Sequence, residues 1–249
     1  MIVAKHLEKQ FGDTQAVCDV TFSVQHGEIL GLLGPNGAGK TTTLKMLTTA
    51  LRPSRGRAYV AGFDVCAQPA EARKRIGYLP EIPALYPELS VEEMLSFAAD
   101  TRGLHGAQRC QALHGAFDQC ELGSVRRKLC RQLSRGFRQR LGFALSLLHD
   151  PQVLILDEPS GGLDPRQMAH MRALVSSFQG KKTVIVSTHL LGEVTEICNR
   201  VVIMSRGRIA HAASVKELAG QKLEQVFLDC VTERCGSLPE SALALQEVG

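Results

Sequence analysis

Aromatic residues are scarce in this sequence: tryptophan is absent, and aromatic residues make up only 5% of the chain. Proteins that bind single-stranded nucleic acid use aromatic side chains as stacking platforms, so this scarcity argues against such a surface. Acidic and basic residues nearly balance, with a formal net charge of +4 at pH 7. This charge is well below that of a dedicated nucleic-acid binder, and we therefore expect no nucleic-acid partner.

Long apolar runs are also missing. The opening residues, MIVAKHLEKQFG, lack the apolar core of a signal peptide. Nowhere do 18 or more apolar residues follow one another, as a bilayer-spanning helix would require. We expect neither a signal peptide nor a transmembrane segment. Hydrophobic residues nevertheless make up 44% of 249 residues, enough for a large buried core in one domain.

Metal-ligand and disulfide patterns are absent as well. The eight cysteines include no CxxC pair and no spacing typical of a metal site. Because they are scattered through apolar segments, we expect small, buried residues that remain reduced.

What the sequence does contain is an alternation of strand and helix patterns. Residues 2–10 and 16–25 alternate as antiparallel strands do, whereas 28–33, 153–157 and 183–187 are continuous apolar runs typical of strands buried on both faces. Further strands are predicted at 58–63, at 76–79 and in a hairpin at 201–212. Helical spacing dominates residues 82–149, where Ser90 with Glu93 predicts a capping box at the start of a helix. Asp164 followed by Pro165 predicts the N-cap and first residue of a later helix. Ser214 with Glu217 predicts the cap of a short late helix.

The segment GPNGAGKT (34–41) fits the phosphate-loop pattern G-x-x-x-x-G-K-[ST], between a buried strand and a predicted helix. Glycines let successive backbone N–H groups point at phosphate oxygens, and the helix N-terminus adds its positive dipole end. Lys40 is predicted to reach the β- and γ-phosphates, and the Thr41 hydroxyl to ligate Mg²⁺. The predicted nucleotide-binding residues here are Gly34, Pro35, Asn36, Gly37, Ala38, Gly39, Lys40, Thr41 and Thr42.

Two adjacent acids end the apolar strand VLILDEP (153–159). A carboxylate at the end of a buried strand lies beside the phosphate loop, so Asp157 is predicted to hold Mg²⁺. Glu158 is predicted to polarise the water that attacks the γ-phosphate. On its own such a pair is more often a turn or a helix cap, but together with the phosphate loop it indicates hydrolysis of a nucleoside triphosphate.

Three further segments resemble the ATP-binding subunits of ABC transporters. LSRGFRQR (133–140) resembles the signature LSGGQ-x-Q-R, and SGGLDP (160–165) and STH (187–189) resemble the D-loop and the switch histidine. The order and spacing of the motifs also fit, so the resemblance covers residues 1 to about 215. It implies an α/β fold: a P-loop NTPase (RecA-like) core with a parallel sheet, an N-terminal antiparallel β subdomain and an inserted all-helical subdomain. We divide the chain into an ATP-binding domain, 1–218, with the helical subdomain at about 82–149, and a short C-terminal helix and tail, 219–249.

The resemblance also implies a second copy of the chain, or a paralogous ATPase, as partner. In this family the signature caps the γ-phosphate bound to the opposite subunit, which gives Ser134, Arg135, Gly136 and Phe137 a role in trans. Asp164 would pass between the two sites. His189 would contact the γ-phosphate, and catalysis is assigned to Glu158, His189 and Lys40.

The adenine contact and one metal ligand rest on the resemblance too. Phe11 stands where the family has an aromatic residue stacked on adenine, with Ala16 beneath it. Glu81 stands where many relatives have glutamine, and a glutamate there can still ligate Mg²⁺. Two departures affect the signature, because Arg135 replaces its first glycine and Phe137 its usual glutamine.

The function implied is ATP hydrolysis that drives transport through a separate integral membrane permease, on the cytoplasmic face of the membrane. The segment 76–95 resembles a branch that serves multidrug, antibiotic and gliding-motility exporters, which favours export. The alternative is a soluble ABC-type ATPase that acts on a non-membrane partner such as the ribosome. A regulatory module that binds ATP without hydrolysing it is a further alternative, against which Lys40, Asp157, Glu158 and His189 argue.

Overall fold

The computed structural model describes residues 1–218 and 221–232. The strands of the fold are β1 Ile2–Phe11, β2 Thr14–Val24, β3 Ile29–Leu33, β4 Arg55–Val60, β5 Phe63–Asp64, β6 Ile76–Leu79, β7 Val153–Asp157, β8 Thr183–Thr188, β9 Arg200–Ser205 and β10 Arg208–Ser214. The helices are α1 Lys40–Leu47, α2 Pro69–Arg75, α3 Val91–Thr101, α4 Gly106–Gln119, α5 Arg135–Leu147, α6 Pro165–Ser176, α7 Leu191–Ile197 and α8 Gln221–Val231.

Two sheets form the framework. The N-terminal sheet is antiparallel in the order β2-β1-β4-β5, and the second sheet has the order β10-β9-β3-β8-β7-β6. In the second sheet β9, β3, β8, β7 and β6 run parallel, and β10 closes one edge as an antiparallel partner of β9. Every residue of β3, β7 and β8 is buried, as their continuous apolar runs predict. The predicted α/β class with two distinct sheets is confirmed.

The helices cover the parallel sheet, and α3, α4 and α5 lie between β6 and β7 in sequence, where the sequence predicts a helical insertion. One apolar cluster joins these helices to Leu79, Leu154 and Val184 of the sheet. A second cluster joins the opposite face of the sheet to α1 and to the N-terminal sheet. Because β3, β8 and β7 are parallel neighbours, their carboxyl ends meet at one edge of the sheet.

The cap predicted for α3 is present in full. Ser90 accepts a hydrogen bond from the Glu93 amide, and the Glu93 carboxylate accepts one from the Ser90 amide. Such a reciprocal pair satisfies two amides that the first turn of the helix leaves open. Pro165 at the first position of α6, with Asp164 as its N-cap, likewise agrees with the prediction.

The strand predicted at 58–63 is wrong as one continuous element. Ala61 and Gly62 both have positive φ, 52° and 86°, and Val60 pairs with Phe63. Positive φ at both central residues is the requirement of a tight two-residue hairpin turn, so the chain reverses here between β4 and β5.

The short helix predicted after Ser214 is also wrong, because residues 215–218 form a turn. The Val215 amide donates to Asn199 O, which keeps the chain against the end of β9. Ser214 and Glu217 do interact as a cap, with the Ser214 amide donating to Glu217 Oε2, but the turn does not continue as a helix through 218. Helix α2 was not predicted, although Pro69 at its first position is a start signal.

The cysteines are only partly as predicted. Cys120, Cys130 and Cys230 are buried, but Cys66 and Cys110 are exposed. Cys18, Cys66, Cys110, Cys120, Cys130 and Cys198 are free thiols, and Cys235 lies outside the described residues.

Beyond β10, α8 packs on the core through Leu223 and Cys230, next to Leu33, Val201 and Ile203 of the sheet. The domain boundary at 218/219 stays a prediction, since residues 219–220 and 233–249 lie outside the described part of the chain. Among the helices that the structure describes, none is long and apolar enough to cross a bilayer.

Candidate active site

The phosphate loop, residues 34–39, joins β3 to α1 and passes close to two other strands. A Cβ atom on Gly34 would lie 2.4 Å from the carbonyl oxygen of Met204 in β9, and one on Gly39 would lie 2.7 Å from that of Ala16 in β2. Gly39 also has a φ of 97°, which L-residues with a side chain rarely adopt. Both glycines are thus required by packing, and the loop is fixed by the sheets beneath it.

Lys40, the first residue of α1, has its ammonium group at the centre of this loop. The side chain is only 6% exposed. Nζ donates to Gly34 O at 2.7 Å and to Pro35 O at 3.2 Å, and it lies 3.6 Å from Glu158 Oε1. A buried ammonium group needs such partners. A positive charge is therefore held between the phosphate loop and the end of β7.

Glu158 directly follows β7 and has an unusual backbone for a non-glycine residue, with a φ of 49°. Its carboxylate is mostly buried and contacts the Lys40 ammonium group through Oε1 and the His189 imidazole through Oε2. Burial raises the pKa of the Glu158 carboxyl above its ordinary value, while His189 and Lys40 partly counteract that shift. A raised pKa makes this carboxylate a stronger base than a solvated glutamate.

His189 lies one residue beyond β8 and is half exposed. Its Nδ1 is 2.8 Å from Glu158 Oε2. Because an ionised carboxylate only accepts hydrogen bonds, Nδ1 must carry the proton in this pair. Nε2 then remains available to a ligand in the space above the loop.

Asp157, the last residue of β7, is fully buried. Its Oδ1 accepts a short hydrogen bond from Ser187 Oγ of the neighbouring strand. Its Oδ2 is buried and has no hydrogen-bond partner within residues 1–218 and 221–232. A buried, unsatisfied carboxylate oxygen is costly, and it suits a metal ion or a metal-bound water.

These elements enclose a cleft of about 510 Å³. It is lined by Ala16, Asn36, Gly37, Ala38, Gly39, Lys40, Thr41, Thr42, Glu81, Arg135, Glu158, Gly161 and His189. Apart from Gly161, each of these residues is among the site residues predicted from the sequence. The cleft thus combines backbone amides and cationic side chains at its base with two carboxylates, as a polyphosphate with a metal ion would require.

Several predicted residues lie elsewhere in the described structure. Phe11 ends β1 and is half exposed, with the Lys9 ammonium 5.2 Å from its ring centroid, and it does not line the cleft. Gly34 and Pro35 contribute through their carbonyl groups, as hydrogen-bond acceptors for Lys40. Ser134, Gly136, Phe137 and Asp164 do not line the cleft of their own chain.

A family model described as ABC transporter matches residues 17–161, which is more than half of the chain and includes the phosphate loop, the signature segment and both acids. This chain belongs to the ABC transporter family. A second model, described as an AAA domain and putative AbiEii toxin of a type IV toxin–antitoxin system, matches only residues 130–195. That match covers too little of the chain to show a family.

Relatives of this ABC chain include the probable multidrug ABC transporter ATP-binding protein YbhF of Escherichia coli, 37% identical over 241 residues. The match covers 93% of this chain but 42% of YbhF, so the chain spans less than half of that relative. The daunorubicin resistance ATP-binding protein DrrA3 of Streptomyces coeruleorubidus is 38% identical over 244 residues, which cover 97% of this chain and 77% of DrrA3. A solved ATP-binding subunit of an ABC transporter is 29% identical and superposes with a TM-score of 0.85, over 92% of this chain and 99% of that one.

The ABC signature segment begins α5. Ser134 is the N-cap residue, and its Oγ accepts a hydrogen bond from the Phe137 amide at 3.4 Å. A Cβ atom on Gly136 would lie 2.5 Å from Gln167 Oε1 of α6, so this glycine allows the two helices to approach. The Phe137 ring lies 5.1 Å from the Arg140 guanidinium. The contact with a partner's nucleotide stays a prediction for Ser134, Gly136 and Phe137.

Unlike its neighbours in the signature, Arg135 reaches the cleft of its own chain. Its side chain also packs over the D-loop, where a Cβ atom on Gly162 would lie 2.3 Å from Arg135 Cδ. Its predicted place against the partner's nucleotide therefore stays untested.

Two residues that contact the acidic pair, Ser187 and Gln139, were not predicted as site residues. Ser187 occurs in the STH segment but lacked a role, and it donates to Asp157 and accepts from the Glu158 amide. Gln139 matches the signature and donates through Nε2 to Glu158 O at 3.3 Å. The motif signals that point to both residues were present, but only the folded chain shows that both contact the acidic pair.

Proposed function

We propose that this chain binds ATP with Mg²⁺ and hydrolyses the ATP to ADP and phosphate, as the motor subunit of a transporter. The observation that carries the proposal is the constellation of Lys40, Glu158 and His189 at one edge of the sheet, with Glu158 in contact with both Lys40 Nζ and His189 Nδ1. Binding alone would need the phosphate loop and its lysine. The carboxylate of raised pKa beside them is the group that hydrolysis needs.

The reaction follows from these positions. Glu158 takes a proton from a water molecule, whose oxygen bonds to the γ-phosphorus while the bond from that phosphorus to the bridging oxygen of ADP breaks. Lys40 and the amides of the phosphate loop stabilise the charge on the phosphate oxygens. His189, which is bonded to Glu158 through Nδ1, presents Nε2 to the γ-phosphate.

A magnesium ion fits the residues present. We propose that the Thr41 hydroxyl, Glu81 and Asp157 hold it, since Asp157 has an unsatisfied buried oxygen and the other two line the cleft. The ion would supply Lewis acidity and neutralise phosphate charge.

We further propose that two chains enclose each nucleotide. Ser134, Gly136 and Phe137 stand at the N-terminus of α5, where open amides and the helix dipole favour an anion. Because they do not line their own cleft, a second copy or a paralogous ATPase would supply the phosphate that they contact, with Asp164 between the two sites. Phe11 at the end of β1 would stack on adenine.

Besides a second ATPase chain, the proposed partner is an integral membrane permease. Three large apolar side chains are exposed after β6 and on α3: Ile82 (82%), Tyr86 (55%) and Phe97 (47%). Tyr86 and Phe97 pack edge to face with ring centroids 5.4 Å apart, so they form a small apolar surface that suits an interface. We propose that this surface binds the permease on the cytoplasmic face of the membrane. The names of YbhF and DrrA3 favour export.

The decisive experiment measures phosphate release and light scattering. The wild-type chain should release phosphate from ATP, whereas Glu158→Gln should lose at least a hundredfold in kcat because it lacks the base. The variant should form a dimer with ATP but not with ADP. A wild-type chain that releases no phosphate, or a Glu158→Gln variant that stays monomeric in ATP, would refute this function.

The partner is tested by purification from detergent extracts. Ile82→Ser should reduce recovery of the membrane subunit. Leu228→Ser changes an equally apolar, exposed residue on α8 and should not. Recovery of ribosomes with the wild-type chain, in place of a membrane protein, would favour the soluble alternative.

A further inference from the structure

Gln139 lies within α5 and is only 2% exposed. Its Nε2 donates a hydrogen bond to the backbone carbonyl oxygen of Glu158 at 3.3 Å. We infer that Gln139 is a positioning residue that couples the signature helix to the base of its own chain. This inference rests on the proposed function, since it concerns the same hydrolysis.

The backbone of Glu158 is fixed from several directions. Its amide donates to Ser187 O at 3.1 Å, and its carbonyl accepts from the Gly161 amide at 3.0 Å as well as from Gln139. The left-handed φ of 49° is disfavoured for a residue with a side chain, so surrounding contacts must hold it. A change at the carbonyl would rotate the peptide plane and thereby redirect the carboxylate.

The contact from Gln139 differs from the other two because it comes from the helix that carries the signature. Ser134, the N-cap of α5, precedes Gln139 by five residues, or about 7.5 Å along the helix axis. The start of this helix also packs closely on α6, where Gly136 meets Gln167. A shift of α5 that follows an anion at its N-terminus would therefore reach the Glu158 carbonyl through one rigid element.

Because of where Gln139 lies, its substitution should affect the rate of hydrolysis but not the affinity for nucleotide. Gln139 does not line the nucleotide cleft, and Lys40 and the phosphate loop make no contact with it among the described hydrogen bonds. Loss of its amide donor should thus leave nucleotide affinity unchanged and reduce the rate of the chemical step. A purely structural role in α5 would instead lower the stability of the fold.

The test is Gln139→Leu, which keeps side-chain size but removes the donor. We expect kcat to fall about tenfold, the worth of one such hydrogen bond, with KM within about twofold of wild type. The matched control is Ser146→Ala, which removes another buried hydrogen bond of α5, from Ser146 Oγ to Phe143 O at 2.7 Å. The control should reduce thermal stability but leave kcat unchanged. An equal loss of kcat in both variants, or none in Gln139→Leu, would overturn the inference.

A second measurement keeps the inference distinct from the proposed function. In the Glu158→Gln background, adding Gln139→Leu should not reduce the residual rate further, because Gln139 acts through Glu158. ATP-dependent dimerisation should persist in the double variant. A further tenfold loss, or a loss of the dimer, would show that Gln139 acts elsewhere. Absence of turnover in the wild-type chain would refute the proposed function itself.

Discussion

The phosphate-loop side of the site and the signature segment differ in how their polar groups are satisfied. On the loop side Glu158 contacts both Lys40 Nζ, at 3.6 Å, and His189 Nδ1, at 2.8 Å, and Lys40 Nζ donates to Gly34 O at 2.7 Å. At the signature, Ser134 is exposed and receives a longer hydrogen bond of 3.4 Å from Phe137 N. The loop side is thus assembled within the chain, whereas the signature has an exposed serine at a helix N-terminus outside its own cleft, as expected if a second chain completes the site.

The largest effect should come from the loop side. Lys40→Ala removes the buried cation, and we expect hydrolysis to fall at least a hundredfold because phosphate charge is no longer neutralised. Lys45→Ala changes an exposed lysine on the same helix and should leave the rate within about twofold. Phosphate release at saturating ATP measures both. Comparable rates for Lys40→Ala and wild type would show that the Lys40 ammonium group is not needed for hydrolysis.

Mixing two inactive variants tests whether the signature acts between chains. Lys40→Ala keeps an intact signature, and Ser134→Arg keeps an intact cleft. In a one-to-one mixture, half of the dimers are mixed and each has one complete site, so we expect hydrolysis to recover to at most about a quarter of wild type. No recovery, with mixed dimers confirmed by mass, would indicate that each chain closes its own site.

The pH dependence should depend on the bond between Glu158 and His189. Glu158 must be ionised to act as base, so kcat/KM should rise as pH rises through its pKa. His189 lowers that pKa against the effect of burial, and His189→Gln should therefore move the acidic limb to higher pH. The measurement is kcat/KM across the acidic range for both proteins. An acidic limb at the same pH in both proteins would show that His189 does not lower the pKa of Glu158.

Two glycines in helices should differ in what alanine does to stability. Gly136→Ala places a methyl group against Gln167 Oε1, which displaces that side chain from its bond with the Asp164 amide; this loss should offset the gain in helix propensity and leave the free energy of unfolding within about 0.5 kcal/mol of wild type. Gly115→Ala in α4 meets no atom within 4 Å and should stabilise the fold by about 0.5–1 kcal/mol. Urea unfolding measures both. An equal increase in the free energy of unfolding for both variants would contradict the close contact between Gly136 and Gln167.

Most of the fold was predictable because its signals are local. Continuous apolar runs identify β3, β7 and β8, and the caps at Ser90 and Asp164 locate the starts of α3 and α6. The hairpin at Ala61–Gly62 was missed, since the four other residues of 58–63 have strand character and the positive φ values of the turn accompany the pairing between β4 and β5. The turn after Ser214 was missed because a tertiary bond to Asn199 overrides the local capping signal.

Site residues could be predicted from the sequence where they belong to a known motif. The lining of the cleft follows the phosphate loop and the two acids closely, but the contacts of Ser187 and Gln139 depend on which strands and helices become neighbours. Arg135 shows the same limit: its motif position points to a partner chain, whereas its long side chain also reaches the cleft of its own chain.

The distribution of thiols offers a practical route to follow motion between the two halves. Cys66 follows β5 of the N-terminal sheet, and Cys110 lies on α4 in the helical region. Both side chains are exposed. Burial raises the pKa of Cys120 and of Cys198 to about 12, which leaves them protonated and unreactive at neutral pH. Once Cys18 and Cys235 are replaced, a fluorophore pair attached at positions 66 and 110 would report, by energy transfer, whether the helical region moves relative to the sheet when ATP binds.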